Sequence, residues 1–534
     1  MADPTPQNVE PRLPGKEVLG IAALLAIGWF FFQGNIGFSP QDEGYLWYNA
    51  QQTKSGSVPI RDFRSYDPGR YYWTAGWFML LGDSFFTFRL SLTVVQAIGL
   101  LFGLLLIRRI ISRRWLLVFF GIVLLLWMFP REKCFEHTLM LGMLFFATWL
   151  IDKPDLRRHF ISGISVGAAA LFGKNMGVYF FFGFFSLILF LGWKQGKRGL
   201  LRNCLAFSAG LIVGYLPMIG MVLFVPGFFS SFFDSILRLF GPYVPVKSLP
   251  IPWPWKVPLV PLSTLPLLNK IRYLSEGAAF MVLFVFYIIG FVCVFLSKKR
   301  PFSRVELLLA ASLFIGAPWL HYVCGRADSG HLSQGIHPLL IGLAAVAVLE
   351  RINKKKIFAV MAAFLLIALT SVPVLFSQEF IWSCRKLTGT VLGNSKLARF
   401  EINRNWFWLP EAQADSLSMV TRFLSQNISS GENILIAPYT PGLYSLLRKK
   451  SPIWDAYPIH LAPFAEQMRS IRNMESLDVR WALIDTAPLD NIKERAFPFT
   501  HKLIWRYIQR EFDPVDCPGL SKSQILFRKH IKLL

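Results

Sequence analysis

The sequence predicts a polytopic α-helical membrane protein with a C-terminal α/β domain outside the membrane. Of its 534 residues 54% are hydrophobic, only 16% are charged and 50 are Phe. A water-soluble fold could not bury that much apolar surface. Apolar runs that approach the length of a membrane-spanning helix recur as far as residue 376, and the composition changes after that point.

Hydropathy predicts about eleven transmembrane helices within residues 1–376. The apolar runs cover residues 18–38, 84–107, 115–130, 138–151, 160–172, 177–193, 203–225, 277–297, 305–322, 336–349 and 357–376. No small-residue cleavage site follows the first run before Asp42. This pattern favours an uncleaved first helix over a signal peptide.

Basic residues in alternate loops predict the orientation of these helices. About nineteen Lys and Arg residues fall in one set of loops, and about four fall in the alternate short loops around Arg131, Lys174 and Arg326. The basic set is expected to face the cytoplasm, so the N-terminus is inside and an odd span count places the C-terminus outside. The same asymmetry accounts for most of the +24 net charge without a nucleic-acid partner.

Residues 377–534 are predicted to form the extracytoplasmic α/β domain. The short apolar segments 433–438 and 480–485 are typical of buried strands, and helical stretches separate them. Cys384 and Cys517 both fall in this domain and could form a disulfide if the compartment is oxidising.

A Pro-rich loop, residues 226–276, is predicted on the same outer side of the membrane. Its prolines oppose a regular helix, and its Trp and Leu residues suit the bilayer interface. Long loops in compact proteins are usually functional. We therefore expect this loop to border the mouth of an active site.

The first outer loop, residues 39–83, contains the leading catalytic candidates, Asp42 and Glu43. Paired acids at a membrane exit are costly unless they carry out chemistry. A second interpretation stays open at this point. Acidic residues often cap helices, so the pair could cap the N-terminal side of the interfacial helix predicted at residues 71–81.

Further charged residues fall in loops predicted on the same side. The candidates for substrate binding are Arg61, Asp62, Arg70, Arg89, Lys174, Arg326, Asp328 and His331. Considered one at a time, Arg89 and Lys174 also match a second interpretation, in which their cationic side chains extend toward lipid headgroups. Taken together, these residues predict a cavity in which a carboxylate activates a hydroxyl and cations bind a phosphate leaving group.

Several segments resemble GT-C glycosyltransferases, the integral-membrane class that includes protein mannosyltransferases and lipid A aminoarabinose transferases. Residues 42–63, with the motif Tyr66-Asp-Pro-Gly-Arg-Tyr-Tyr72 and the segment 88–90, resemble the first outer loop of that class. Residues 174–177 and 325–331 resemble loops of its bacterial members. Residues 434–444 resemble the start of their outer domain.

The resemblance implies inverting transfer of a sugar from a polyprenyl-phosphate donor to an acceptor outside the cytoplasmic membrane. It gives Asp42 the role of general base, with Glu43 as its neighbour. Phosphate binding would fall to Lys174 and Arg326, with Arg70 and Arg89 as weaker candidates. Asp328 and His331 would orient the sugar or the phosphate-binding arginine. No cofactor is certain, because GT-C subfamilies differ in whether a divalent metal assists.

Other classes of protein stay open on the sequence. A lipid-linked glycan ligase, a transporter of amphipathic lipids and an inactive envelope scaffold would each use many spans with polar loops. Transporters tend to place functional polar groups near the bilayer midplane, in broken helices. The polar candidates here collect at one interface instead, and this favours the glycosyltransferase.

Overall fold

The computed structural model describes residues 13–194, 199–238, 248–256, 267–297, 302–347, 354–392 and 396–530. Within these residues the chain divides into two compact units. One contains the described residues up to Phe31, with Leu92–Leu216 and Ser248–Ser377. The other contains those of Phe32–Ser91, Pro217–Lys247 and Gln378–Leu534. The first outer loop and the C-terminal region therefore belong to the same unit, although they are far apart in sequence.

Helices account for nearly all of the first unit. The helices that lie in it wholly or mainly are α1 (Gly15–Gln33), α4 (Phe85–Ile107), α5 (Arg114–Leu126), α6 (Cys134–Asp152), α7 (Leu156–Phe172), α8 (Lys174–Lys194), α9 (Leu200–Phe224), α11 (Leu267–Leu296), α12 (Arg304–Gly316), α13 (Leu320–Gly325), α14 (Ser329–Gly335), α15 (His337–Ala347) and α16 (Lys354–Leu375). Helix α12 packs against α6, α8 and α15, and α11 packs against α16.

Glycines allow α7 and α9 to pack backbone against backbone. A Cβ added to Gly163 or Gly167 on α7 would lie 2.0 Å from the carbonyl oxygen of Phe207 or 2.2 Å from that of Leu211, both on α9. Small residues spaced four apart are typical of contacts between transmembrane helices, because they let the two backbones approach closely. This local pattern supports a helix pair within a membrane bundle.

Seven helices of the described residues are long and apolar enough to cross a membrane. The number is up to eight if two consecutive helices, which meet near residue 376 at a bend of 80°, form one span. All eleven apolar runs coincide with helices, but those at 115–130 and 336–349 fall on the short helices α5 and α15, and the run at 160–172 falls on α7, which has 17 residues. The protein is a multi-pass membrane protein. The span count of about eleven stays a prediction.

The second unit contains the first outer loop, one further helix and the C-terminal region. Its helices are α2 (Asp42–Lys54), α3 (Gly69–Leu81), α10 (Phe228–Leu237), α17 (Gln378–Leu392), α18 (Glu411–Asn427), α19 (Gly442–Leu447), α20 (Phe464–Ser476), α21 (Phe497–Thr500) and α22 (Lys502–Glu511). Its strands are β1 (Leu397–Ile402), β2 (Asn405–Pro410), β3 (Ile434–Ala437), β4 (Trp481–Asp485), β5 (Phe512–Val515) and β6 (Gln524–Lys529).

The strands form an antiparallel β1–β2 hairpin and a four-stranded sheet in the order β3-β4-β6-β5, in which only β3 and β4 are parallel. Leu435, Ala482 and Phe527 join the apolar core beneath this sheet with residues of α20 and α22. The two strands predicted from the sequence are confirmed as β3 and β4, and so is a C-terminal α/β region. The domain boundary at residues 376 and 377 stays a prediction.

Candidate active site

Asp42 and Glu43 are the first two residues of helix α2. The preceding Gln41 makes no side-chain cap, and neither acid caps α3, the separate helix that contains the predicted interfacial run. Negative side chains in a first turn interact favourably with the positive end of the helix dipole. The acids therefore start a helix of their own, and the two side chains have different surroundings.

The Glu43 carboxylate forms a buried ion pair with Arg89 of α4. Arg89 Nε lies 2.9 Å from Glu43 Oε1, Arg89 Nη2 lies 2.9 Å from Oε2, and the side chains are 1% and 2% exposed. The remaining N–H groups of Arg89 donate to the carbonyls of Gly34, Ile36 and Gly37 at 2.6–3.1 Å. All five guanidinium donors thus have protein acceptors, so a phosphate oxygen would have to displace one of them.

The Asp42 carboxylate is half-buried and has no hydrogen bond or ion pair to any residue that the structure describes. A carboxylate that is free of protein donors can accept a proton from a substrate hydroxyl. Of the two acids, Asp42 is therefore the one whose oxygens are available for chemistry.

Arg61 and Asp62 bind each other in the loop that follows α2. Arg61 Nε and Nη2 lie 2.8 and 2.9 Å from the two Asp62 oxygens, and Arg61 Nη1 donates to the Pro226 carbonyl. The hydrogen bond from Arg61 lowers the pKa of Asp62. Arg70 is buried in the first turn of α3, with its guanidinium 4.9 Å from the centre of the Tyr66 ring. These three side chains all have partners within the protein.

In the first unit, Arg326, Asp328 and His331 form one half-buried cluster. Arg326 Nε lies 2.9 Å from Asp328 Oδ2, while the His331 ring and backbone N–H both approach Asp328 Oδ1, at 2.8 and 2.9 Å. Asp328 thereby caps the N-terminus of α14. Burial raises the pKa of Asp328, but the hydrogen bonds from His331 and the Arg326 charge outweigh it, and the net pKa is lowered. The carboxylate therefore orients both the Arg326 guanidinium and the His331 ring.

Lys174 begins α8 and is half-buried. Further along this helix the Tyr179 ring lies 6.3 Å from the Tyr322 ring, which in turn lies 5.1 Å from the His331 ring. The start of α8 and the Arg326 cluster are thus connected through aromatic contacts within one unit. That Lys174 and the Arg326 cluster contribute to one site stays a prediction.

The N-terminal end of helix α6 also contacts α14. The Arg131–Lys133 turn precedes α6, and His137 Nε2 lies 3.3 Å from the Ser333 hydroxyl of α14. The His137 ring is fully buried, with its centre 5.4 Å from that of His337. His337 therefore packs inside the bundle.

Part of the Pro-rich loop contacts the Arg326 cluster. The N–H of Ala327 donates to the carbonyl of Leu249 at 3.1 Å. Residues 239–247 and 257–266 of this loop lie outside the described residues, so its place at a site mouth stays a prediction. The residue that sequence reasoning missed here is Glu276, a 6% exposed carboxylate that interacts with the backbone of Ser329. Its position at the edge of an apolar run was the only available signal.

Sequence reasoning also missed a buried group in the second unit. Arg64 Nη1 lies 2.6 Å from Asp455 Oδ2, and the charges of both residues act on the His501 ring. Arg64 lies in the loop that resembles GT-C enzymes, but nothing local to Asp455 or His501 singled them out.

Cys384 and Cys517 are both free thiols in the structure. Burial raises the pKa of the Cys517 thiol to about 11. The disulfide that the sequence allowed is therefore not formed in this conformation. Among the described residues, no group of three or more His, Cys, Asp or Glu side chains is arranged to hold a metal ion.

The described residues form an apolar helical bundle, a charged first loop and a C-terminal α/β region, and this fold is GT-C-like. The chain is similar over almost its whole length to a solved structure of that class, ArnT from Cupriavidus metallidurans bound to undecaprenyl phosphate. The TM-score is 0.55 and the sequence identity 13%, and the match covers 98% of this chain and 99% of the ArnT chain.

The apo structure of the same ArnT matches with a TM-score of 0.49 and 13% identity, over 96% of this chain and 97% of that one. No protein-family model and no curated protein sequence matches the chain. At such low identity the likeness to ArnT shows the fold. The fold expected from the first-loop resemblance is therefore confirmed.

Proposed function

We propose that the protein is an inverting glycosyltransferase that moves a sugar from a polyprenyl-phosphate donor to an acceptor hydroxyl on the outer side of the cytoplasmic membrane. The observation that carries this proposal is that the two adjacent acids, Asp42 and Glu43, have different surroundings. Arg89 engages the Glu43 carboxylate, and the Asp42 carboxylate is left without a protein donor among the described residues. A paired acid stabilises structure, and an accessible acid can act as a base.

In the proposed reaction, Asp42 accepts the proton of the acceptor hydroxyl as its oxygen attacks the anomeric carbon. The new carbon–oxygen bond forms on the face opposite the phosphate, and the bond from the anomeric carbon to the phosphate oxygen breaks. The bonding electrons leave with the polyprenyl phosphate. One displacement of this kind inverts the anomeric configuration.

The leaving phosphate gains negative charge in the transition state, so cations that contact it accelerate departure. We assign this contact to Lys174 and Arg326. Asp328 supports the assignment because it binds Arg326 Nε and the His331 ring, and so fixes the position of both side chains. Arg70 is a weaker candidate. Arg89 is omitted, since its donors are already occupied.

Arg61 and Asp62 would contact substrate only as a pair, because each neutralises the other. The similarity in fold to an ArnT that was solved with undecaprenyl phosphate supports a polyprenyl-phosphate donor. We place the protein in the cytoplasmic membrane with its N-terminus inside and its C-terminal α/β region outside.

The proposal is tested by mass spectrometry of the envelope glycans and glycolipids from a deletion strain. We expect one sugar to be missing from one class of acceptor and to return with the wild-type gene but not with an Asp42→Asn gene of equal protein abundance. A transporter would instead restore the sugar with either gene. An unchanged glycan profile in the deletion strain would exclude the proposed reaction.

A further inference from the structure

We propose that the segment 440–457 positions Asp42. Within this segment, Gly442 determines the position of the first residues of α2. The inference rests on the proposed function, because it concerns the geometry of the same general base. It deepens that function by assigning a role to a C-terminal segment that carries none of the proposed catalytic groups. All of its contacts lie within the second unit.

Gly44 and Gly442 bring two backbones into contact two residues after Asp42. A Cβ added to Gly44 would lie 2.6 Å from both Cα and N of Gly442. A Cβ added to Gly442 would lie 2.6 Å from Phe38 Cζ and 3.1 Å from Gly44 Cα. Neither glycine has a positive φ, so what the site requires is space rather than an unusual backbone conformation.

A hydrogen bond fixes the same contact from the other side of Asp42. The N–H of Gly442 donates to the Pro40 carbonyl at 2.9 Å. Asp42 therefore lies between two residues, Pro40 and Gly44, that both contact Gly442. A change in the position of Gly442 would move the backbone that carries the Asp42 carboxylate.

The contact continues along one face of α2. The Tyr48 hydroxyl accepts from the N–H of Ser451 at 2.8 Å, and the Tyr48 ring lies 5.2 Å from that of Tyr444. The Tyr45 ring lies 5.4 Å from that of Tyr457. Residues four apart on a helix are neighbours on its surface, so positions 44, 45 and 48 present a continuous strip to the segment.

A partly buried ion pair connects the end of the first loop to the same segment. The Arg64 guanidinium binds Asp455, which is 4% exposed, and the N–H of Arg64 donates to the Trp454 carbonyl at 2.9 Å. The Tyr45 hydroxyl donates to the Arg64 carbonyl at 2.6 Å. Tyr45 thus connects α2 to the ion pair.

These contacts act on the reaction only through Asp42. A general base must lie within hydrogen-bond reach of the proton that it removes, and a displacement of about 1 Å can cost on the order of 100-fold in rate. A loosened segment should therefore lower kcat. Donor binding should change little, because none of the proposed phosphate-binding residues belongs to the segment.

The test compares Gly442→Ala with Gly431→Ala in the full-length protein. A Cβ added to Gly431, also in the C-terminal region, meets no atom within 4 Å. Turnover is measured in detergent with a short-chain polyprenyl-phosphate donor that carries the sugar found missing from the deletion strain. Binding of undecaprenyl phosphate provides a readout that does not depend on turnover.

We expect Gly442→Ala to lower kcat by about 10-fold or more, with the KM for the donor and the affinity for undecaprenyl phosphate unchanged. Gly431→Ala should match the wild type. Gly44→Ala should lose more than Gly442→Ala, because its added Cβ meets backbone atoms, whereas the Phe38 ring can tilt away from Gly442. A folded Gly442→Ala protein with wild-type kcat would overturn the proposal.

Tyr48→Phe decides the question if Gly442→Ala does not fold. This substitution removes only the hydroxyl that accepts from Ser451. The proposal requires a several-fold lower kcat at unchanged affinity for undecaprenyl phosphate. A wild-type kcat would refute it. The two levels of inference fail separately. Turnover that persists in Asp42→Asn removes the proposed base, whereas an inactive Asp42→Asn with a fully active Gly442→Ala removes only the positioning role.

Discussion

Glu43 and Arg89 form a bidentate ion pair in which both carboxylate oxygens and the three guanidinium nitrogens are buried. The remaining N–H groups of Arg89 donate to three backbone carbonyls in the residues that follow α1. The Arg89 guanidinium also lies 4.2 Å from the centre of the Phe85 ring. The pair therefore fixes the path from α1 into α2. It determines which of the two adjacent acids is available for chemistry.

Glu43→Gln should destabilise the protein more than it alters the reaction. The amide leaves the buried Arg89 charge without a counter-ion, and breaking a buried pair by removing one partner typically costs about 3–5 kcal/mol. Thermal unfolding in detergent should show a clearly lower midpoint. Glu17→Gln is the control, because Glu17 pairs with a well-exposed Arg114, and it should have little effect. Equal midpoints for the two variants would contradict the structural role of Glu43.

Asp42→Asn should lower turnover strongly with only a small loss of stability. Asparagine keeps the shape of the side chain but cannot take a proton, and general base catalysis contributes roughly 100-fold or more. Asp42 has no donor to lose among the described residues, and the substitution removes only its favourable interaction with the dipole of α2, so the unfolding midpoint should fall only slightly. Near-normal turnover would shift the role of base to another acid, with Asp62 the first to examine.

The contrast between these acids shows what sequence reasoning could not resolve. Asp42 and Glu43 are equivalent in any local pattern, and Arg89, which separates them, lies 46 residues from Glu43. Asp455 lies 391 residues from its partner Arg64. Such pairings depend on how the chain folds back on itself, and no periodicity or spacing encodes them.

Features that depend on neighbouring residues were predicted well. Each apolar run coincides with a helix because hydropathy is a local property, and β3 and β4 were found for the same reason. Asp328 and His331 were expected to orient either the sugar or the phosphate-binding arginine, and the three side chains contact each other because they lie within six consecutive residues. The span count was less secure, since several runs are shorter than a membrane crossing.

Arg326→Met and Lys174→Met should lower turnover on a short-chain donor in detergent. Removing a cation that contacts the leaving phosphate loses stabilisation of the transition state, whereas a cation that only reaches toward lipid headgroups should matter little in a micelle. Arg326→Lys keeps the positive charge but should retain only part of the turnover. An ammonium cannot bind two phosphate oxygens at once as the planar guanidinium does. Full turnover in both Met variants would exclude the clamp and turn attention to Arg70.

Reporter fusions should confirm the orientation inferred from the loop charges. Basic loops are retained in the cytoplasm, and the short outer loops around Arg131, Lys174 and Arg326 carry few cations. Cytoplasmic signals are expected at Arg113, Lys197 and Lys354, and outer signals at Ser57, Ser248 and Ser451. A cytoplasmic signal at Ser451 would show that the number of spans before the C-terminal region is even.

The stability of the protein should fall as the pH is lowered from about 6.5 to about 4, in part because of His501. This ring is 3% exposed, stacks on Phe497 and contacts the Thr500 hydroxyl at 2.9 Å. Burial lowers its pKa to about 4; Asp455 opposes the shift and Arg64 adds to it. An unfolded histidine has a pKa of about 6.5. Between the two values the unfolded chain binds one more proton, so acid favours unfolding.

The contribution of His501 should be complete above pH 6.5, decline by at most about 1.4 kcal/mol per pH unit below it, and level off below pH 4. Unfolding midpoints of the wild type and His501→Gln, measured in detergent from pH 7.5 to 4, isolate this contribution, because glutamine does not titrate in that range. We expect the variant to be less stable than the wild type at pH 7.5 and to approach it as the pH falls. Parallel curves over the whole range would show that His501 does not carry this pH dependence.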